Sequence, residues 1–258
     1  MKHNRLGMVL LALVWLLPVH MAMALEIKSD ADAVNIAGKQ RMYTMRMLKD
    51  YLMIGENLHY KDPKGDLEKT MAAFDESGKA LEAYIKDPAL KKEMNAINEQ
   101  WEKVRKMFSE PPKKDQAAVY AKSAIDLREK LNTYVQHLAE HYGGSASQVV
   151  NHSGRLRAVS QALASVYQLK SWGLPDADKK LEIPMKRFRA SLDYITNAKE
   201  TQESMRPLLA KLEGIYLFFS VMGTADDTAT PVLAIKRTDK MLKIANELTE
   251  KYVESLNK

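Results

Sequence analysis

The chain has 258 residues, a formal net charge of +6 and no cysteine. Without cysteine there can be no disulfides, thiolate metal sites, c-type haem attachment or cysteine nucleophiles, so the fold must be held together by its core, which a chain of this length can supply. Lysine, arginine, aspartate and glutamate are interspersed along most of the chain, which is typical of solvated helices and argues against a nucleic-acid-binding surface.

The N-terminus has the pattern of a cleavable secretory signal. Lys2 and Arg5 precede an apolar run at residues 6–17, Pro18 ends this run, and residues 22–24 read Ala-Met-Ala. A positive segment, a short apolar run and an A-x-A site form the layout that signal peptidase cleaves. The run is shorter than the roughly 20 residues of a membrane span, although an uncleaved anchor is the alternative. We therefore predict a signal peptide at residues 1–24 and a periplasmic location.

The rest of the chain is predicted to be helical almost throughout, because apolar residues recur at three- and four-residue spacing. Prolines, glycines and capping residues divide this pattern into eight predicted helices. They span residues 30–58, 66–85, 88–108, 115–142, 145–172, 177–198, 201–222 and 231–255. Their short connections favour antiparallel neighbours. The predicted fold class is therefore all-α, with four helices on each side of Gly143 and Gly144.

Two sequence patterns occur in both halves of the chain. Residues 35–41 and 151–157 both read N-x-x-G-[KR]-x-R, and residues 67–77 and 181–191 both read L-E-x-x-M-x-x-F-x-x-S. The offsets of 116 and 114 residues are nearly equal, and two ordered matches at one offset indicate an internal duplication. We therefore predict tandem four-helix bundles, the first at residues 25–143 and a second, more divergent one at residues 144–258.

The repeated motif has the residue types of an anion site. Residues three apart share one helix face, so Asn35, Gly38 and Arg41 lie together, as do Asn151, Gly154 and Arg157. Glycine destabilises a helix by about 1 kcal/mol relative to alanine and is tolerated where a backbone or a ligand comes close. The arginine fork offers two parallel N–H donors to an oxyanion. The alternative for Arg41 is a surface arginine or a structural ion pair. The predicted ligand-binding residues are Asn35, Gly38, Arg41, Arg46, Gly154 and Arg157.

The first motif also resembles a known family. Residues 35–47, NIAGKQRMYTMRM, resemble the signature helix of the PilJ-type sensory domain of type IV pilus methyl-accepting chemotaxis transducers, and are similar to the periplasmic domain of nitrate/nitrite sensor kinases. The residues that match the family pattern are Asn35, Ala37, Gly38, Arg41, Met42 and Arg46, with Thr44 in place of serine. The resemblance implies a four-helix-bundle sensory domain in which Arg41 contacts the anion with help from backbone near Gly38.

In the nitrate sensors that the motif resembles, the anion site lies between the first helices of two subunits. The two motif helices of this chain are accordingly expected to pack as a pseudo-dimer, with Arg41 facing Arg157; a homodimer is the other arrangement. The second motif departs from the family pattern: Ala158 replaces Met42, Ala162 replaces Arg46, and His152-Ser153 replaces Ile36-Ala37. The ligand can therefore differ from nitrate.

The sequence thus predicts a periplasmic sensory module without enzymatic activity, cofactor or bound metal. It would bind a small anion, with nitrate or nitrite as the first choice. No second span, coiled-coil tail or kinase segment follows the last helix, so we expect a stand-alone module that relays to a membrane receptor or a pilus-associated protein. The alternative is a structural or adaptor protein linked to pilus or surface sensing. A third class, a zinc hydrolase, is suggested by His137-x-x-Glu140-His141, but a third ligand is not evident in the sequence.

Overall fold

A computed structural model describes residues 25–142, 144–222 and 231–256. These residues form α-helices without any strand, which confirms the all-α prediction. The helices are α1 (Asp30–Gly55), α2 (Pro63–Tyr84), α3 (Pro88–Ser109), α4 (Ala117–His141), α5 (Gly144–Ser171), α6 (Glu182–Asn197), α7 (Arg206–Met222) and α8 (Pro231–Leu256). No helix among them is both long and apolar enough to span a membrane. The predicted signal peptide and the predicted loop at residues 223–230 lie outside the described residues.

Aspartate-proline pairs start α2 and α3. Asp62 and Asp87 each accept a hydrogen bond from a backbone N–H three residues further on, while Pro63 and Pro88 occupy the first turn. The side-chain oxygen satisfies one of the free N–H groups of the first turn, and proline lacks only an N–H that would be unpaired there. The predicted start of α2 at Asp66 is therefore wrong, since Asp62 caps this helix.

Other helix ends also differ from prediction. α1 ends at Gly55, earlier than predicted, because Asn57 adopts a left-handed conformation (φ 53°) and the Leu58 N–H bonds back to the Met53 carbonyl at 2.9 Å. This arrangement closes a helix end. Short 3₁₀ turns precede three of the helices, which therefore begin later than predicted: Lys114–Gln116 before α4, Ala177–Leu181 before α6 and Glu203–Met205 before α7.

The helices pack in two groups of four. In the first, α1 contacts α2 and α4, and α3 contacts α2 and α4; in the second, α5 contacts α6 and α8, and α7 contacts α6 and α8. The most extensive helix pairing, between α1 and α5, joins the groups, and one cluster of buried apolar side chains runs through both. This packing is compatible with helical bundles. The internal duplication stays a prediction, because unrelated bundles also share such an arrangement.

The central helices α1 and α5 run in the same direction. The Ser165 hydroxyl donates to the Met45 carbonyl at 3.1 Å, and the Trp172 indole N–H donates to the Leu52 carbonyl at 3.0 Å; both pairs are 120 residues apart. A constant separation along two helices means that they are parallel. Since the two glycine-arginine motifs are separated by nearly the same number of residues, this pairing brings them to the same level of the fold.

Candidate functional site

Two arginines meet where α1 packs on α5. Arg41 and Arg157 are only 0% and 1% exposed. Both Nη2 atoms approach the point where a Cβ on Gly38 would stand, at 3.2 Å for Arg41 and 3.3 Å for Arg157, and the corresponding distances at Gly154 are 3.6 Å and 2.9 Å. The structure therefore brings four of the predicted site residues together. The two glycines leave the space that the guanidinium groups fill.

The two arginines, which we call the arginine pair, bind reciprocally across the helix interface. Arg41 Nη2 donates to the Asn151 carbonyl and Arg157 Nη2 donates to the Asn35 carbonyl, each at 3.2 Å. Each arginine thus reaches the first residue of the opposite motif. Arg41 Nη1 donates also to Asn151 Oδ1 at 2.8 Å and to Asn132 Oδ1 of α4 at 3.5 Å. Asn35 takes part through its backbone, since its buried Oδ1 has no hydrogen-bond partner.

Neither guanidinium of the arginine pair forms an ion pair with a carboxylate of the described residues. In the described part of the chain, its hydrogen-bond acceptors are all neutral oxygens, and neither Nε has a partner. Burial lowers the pKa of Arg41 well below its ordinary value, and the charges of Arg155 and Arg157 lower it further. Burial also lowers the pKa of Arg157, to about 10. Because a buried charge is unfavourable unless it is paired, this cluster is suited to receiving an anion.

Arg46 does not join the arginine pair. Its side chain is 30% exposed and lies 3.4 Å from Asp66 and 3.7 Å from Asp50. The structure thus places this arginine among carboxylates where α1 meets α2. The structural ion pair that was the alternative for Arg41 is found at Arg46 instead. We therefore leave Arg46 out of the candidate site.

The residues that sequence reasoning missed come from packing between distant segments. Asn132 belongs to neither repeated motif and reaches Arg41 only because α4 packs on α1. Asn151 lies in the second motif, but its role as a double acceptor for Arg41 depends on the α1–α5 pairing. A polar side chain in the middle of a helix was the only sequence signal for Asn132, and such residues are usually solvated.

The histidines of the suspected zinc motif have other partners. His137 Nδ1 lies 2.9 Å from a Glu93 carboxylate oxygen, and the His141 ring makes an edge contact with Tyr142. Glu140 accepts a hydrogen bond from Gln136. No group of three potential metal ligands occurs within the described ranges. The zinc alternative therefore gains no support from this part of the protein.

The N-terminal part of the described chain matches a known protein family. Residues 24–127 match the PilJ family model. Its description is the N-terminal region of type IV pili methyl-accepting chemotaxis transducers. The matched range runs into α4 and includes Asn35, Gly38 and Arg41, whereas the second motif lies beyond it. No curated protein and no solved structure was found to match the chain. The tandem PilJ-type copies and the similarity to nitrate sensors therefore stay predictions.

His152, next to the arginine pair on α5, makes an acid-sensitive contact. Its ring stacks on Tyr194 with a centroid distance of 3.9 Å and an interplanar angle of 7°. Burial, together with the charges of Arg155 and Arg41, lowers its pKa to about 4. The native state therefore binds fewer protons than the unfolded chain between about pH 4 and pH 6.5, and its stability falls as the pH falls through this range.

Replacing His152 by glutamine is expected to remove this part of the acid sensitivity. Between pH 7 and pH 4.5 the parent should lose about 2 kcal/mol more unfolding free energy than His152→Gln, after allowance for partial solvation. Urea unfolding at both pH values measures the difference. His137→Gln, at an exposed histidine, is the control. Equal losses in the parent and in His152→Gln would contradict the prediction.

Proposed function

We propose that this protein is an exported sensory module that binds a small oxyanion, with nitrate or nitrite as the first choice, between Arg41 and Arg157. The observation that carries the proposal is the pair of fully buried guanidinium groups whose protein partners are all neutral. An anion between them would offset the desolvation of both charges. A planar oxyanion suits the flat guanidinium fork, which forms parallel hydrogen bonds to two oxygens.

The surrounding residues support a preformed site. The carbonyls of Asn35 and Asn151 each hold one guanidinium in place. Gly38 and Gly154, which have no Cβ, leave room for both guanidinium groups to lie close together. Donors that are already fixed lose little conformational freedom on binding, which favours affinity. The site is enclosed by helices and offers only a few polar atoms. A small inorganic anion is therefore the ligand class that fits it.

The match of residues 24–127 to a chemotaxis transducer family supports a sensory role. The anion would bind where the two halves of the molecule meet, so binding could shift the balance between two arrangements of α1 and α5. A ligand can do this only if it binds one arrangement more tightly. We propose that a membrane receptor or a pilus-associated protein reads this change. Periplasmic location after signal-peptide cleavage is part of the same proposal.

Thermal unfolding in different anions tests this function. Nitrate, nitrite, sulfate, phosphate and chloride are compared at matched ionic strength, and a selective rise in Tm is expected with nitrate or nitrite. At about 100 times the dissociation constant, the anion should add about 2.7 kcal/mol to the unfolding free energy, a rise of several degrees. Equal Tm values in all five salts would contradict the proposal and favour the adaptor alternative.

A further inference from the structure

A polar cleft opens next to the arginine pair. It has a volume of about 480 Å³ and lies where α5 and α6 meet α4. We call it the α4 cleft. Its lining includes Glu129, Asn132, Thr133, Glu140, Arg155 and Arg187. The cleft is open to solvent, whereas both guanidinium groups of the arginine pair are buried.

Asn132 connects the α4 cleft to Arg41. This side chain lines the cleft, and its Oδ1 accepts a long hydrogen bond of 3.5 Å from Arg41 Nη1. Its Nδ2 donates to Glu129 at 3.1 Å. A rotation of the Asn132 side chain would therefore uncover Arg41 from the cleft side without a change in the backbone.

The two arginines that line the α4 cleft differ in their partners among the described residues. Arg187 holds both carboxylate oxygens of Glu129 at 2.8 and 2.6 Å, and Arg128 pairs with the same carboxylate. Arg155, which is only partly exposed, has neither a hydrogen bond nor an ion pair within the described residues. Its N–H groups are therefore available to a ligand. After burial itself, Arg155 is the largest influence that lowers the pKa of Arg41, so positive charge extends from the cleft to the buried site.

The other side of the arginine pair has a different charge balance. Lys39 occupies in the first motif the position that Arg155 occupies in the second. Burial and Arg157 lower the pKa of Lys39, but the carboxylates of Glu250 and Asp32 act against them. At Arg155, the largest charge effect on the pKa comes from Arg187, and Glu129, which opposes it, is already paired. Arg155 is thus opposed by fewer carboxylates than Lys39 is, and it is the one of the two that lines an open cleft.

We propose that the α4 cleft is the entrance to the arginine pair, that Arg155 captures the incoming anion there, and that Asn132 moves aside to let it pass. This inference rests on the proposed anion-binding function. An unpaired cation in such a cleft raises the local concentration of an anionic ligand and its association rate. The cleft lining also carries the carboxylates of Glu129 and Glu140. Glu129 is paired with Arg187 and Arg128, and Glu140 accepts a hydrogen bond from Gln136. Arg155 is therefore the cation of the cleft that is left to attract an anion.

The absence of native cysteine allows a direct test of the entrance. Thr133, an exposed residue in the cleft lining, is replaced by cysteine and modified with a bulky uncharged maleimide. The amide NMR signals of Gly38 and Gly154 then report nitrate at the arginine pair. Modification should slow nitrate exchange by about tenfold or more, as closure of a path does, and change the dissociation constant by less than about twofold, because both rates fall together.

The matched control is Asn95→Cys, at an exposed position on α3, carrying the same maleimide; its exchange rate should equal that of the parent. Unchanged exchange in the modified Thr133→Cys protein would overturn the entrance. If the Gly38 and Gly154 signals do not respond to nitrate even in the parent, the proposed function fails and the entrance fails with it. The two failures are therefore distinguishable.

The capture role of Arg155 has its own readout. Arg155→Gln should reduce the nitrate association rate by about tenfold at low ionic strength, and the difference from the parent should shrink as salt screens the charge. An unchanged association rate at low salt would overturn this role. A rate reduced equally at all salt concentrations would also overturn it, since electrostatic capture depends on ionic strength.

Discussion

Replacing Arg41 by methionine is expected to abolish the stabilisation that nitrate gives to the protein. Arg41 is fully buried and contributes one of the two guanidinium groups between which the anion is proposed to bind. Methionine fills a similar volume with a flexible apolar chain but offers no donor. The increase of about 2.7 kcal/mol that the parent gains at about 100 times the dissociation constant should disappear. Thermal unfolding with and without nitrate measures the change.

The same variant should remain well folded without nitrate. Loss of Arg41 leaves the carbonyl and Oδ1 of Asn151 without their donor, which destabilises by about 1–3 kcal/mol. It also removes a buried charge that has no ionic partner, and replacement of buried charges by apolar groups can stabilise by about 1–4 kcal/mol. The two effects oppose each other, so the unfolding free energy without anion should change little.

Arg46→Met provides the matched control for Arg41→Met. Arg46 lies on the same helix and was predicted from the same motif, but it is partly exposed and is paired with Asp66 and Asp50. The nitrate effect should survive in this variant. Stability should fall by only about 1 kcal/mol, because Asp66 is partly exposed and the buried Asp50 keeps its ion pair with Lys49 at 3.0 Å. A nitrate effect that persists in Arg41→Met, or is lost equally in Arg46→Met, would contradict the proposed site.

Alanine at Gly38 and Gly154 is expected to weaken nitrate binding while the fold is retained. A Cβ at Gly38 would lie 3.2 and 3.3 Å from the two Nη2 atoms, and one at Gly154 would lie 2.9 Å from Arg157 Nη2. These atoms end flexible side chains, so they can shift, and alanine favours a helix over glycine by up to about 1 kcal/mol. This shift displaces the N–H donors of the two arginines. We therefore expect the double variant to lose nitrate affinity by about tenfold or more.

Gly214→Ala is the control for the glycine variants. Gly214 lies in α7, and a Cβ there would meet no atom within 4 Å. This variant should gain similar helix stability and keep the nitrate affinity of the parent. A nitrate titration followed by thermal unfolding compares the three proteins. If Gly38→Ala/Gly154→Ala binds nitrate as tightly as Gly214→Ala does, the positions of the guanidinium groups beside the two glycines do not set the nitrate affinity.

The sequence by itself determined the helical architecture and pointed to the central motifs. Apolar spacing and capping residues act within a few turns of the chain, so the helices could be predicted, with errors confined to their ends. Gly38, Arg41, Gly154 and Arg157 could be selected because glycine beside arginine on a helix face is unfavourable unless something approaches it. The resemblance of residues 35–47 to a sensory family added the idea that the two arginines face each other.

Only the tertiary structure decided which polar side chains surround the arginine pair. Arg41 and Arg46 look alike in the sequence, yet one is buried beside α5 and the other lies among carboxylates beside α2. Asn132 and Arg155 come to Arg41 from helices that are distant in sequence. Helix periodicity fixes the face on which a residue lies, but the element packed against that face is set by contacts between segments that lie far apart in the sequence. Burial and charge at the site are therefore properties of the packed molecule.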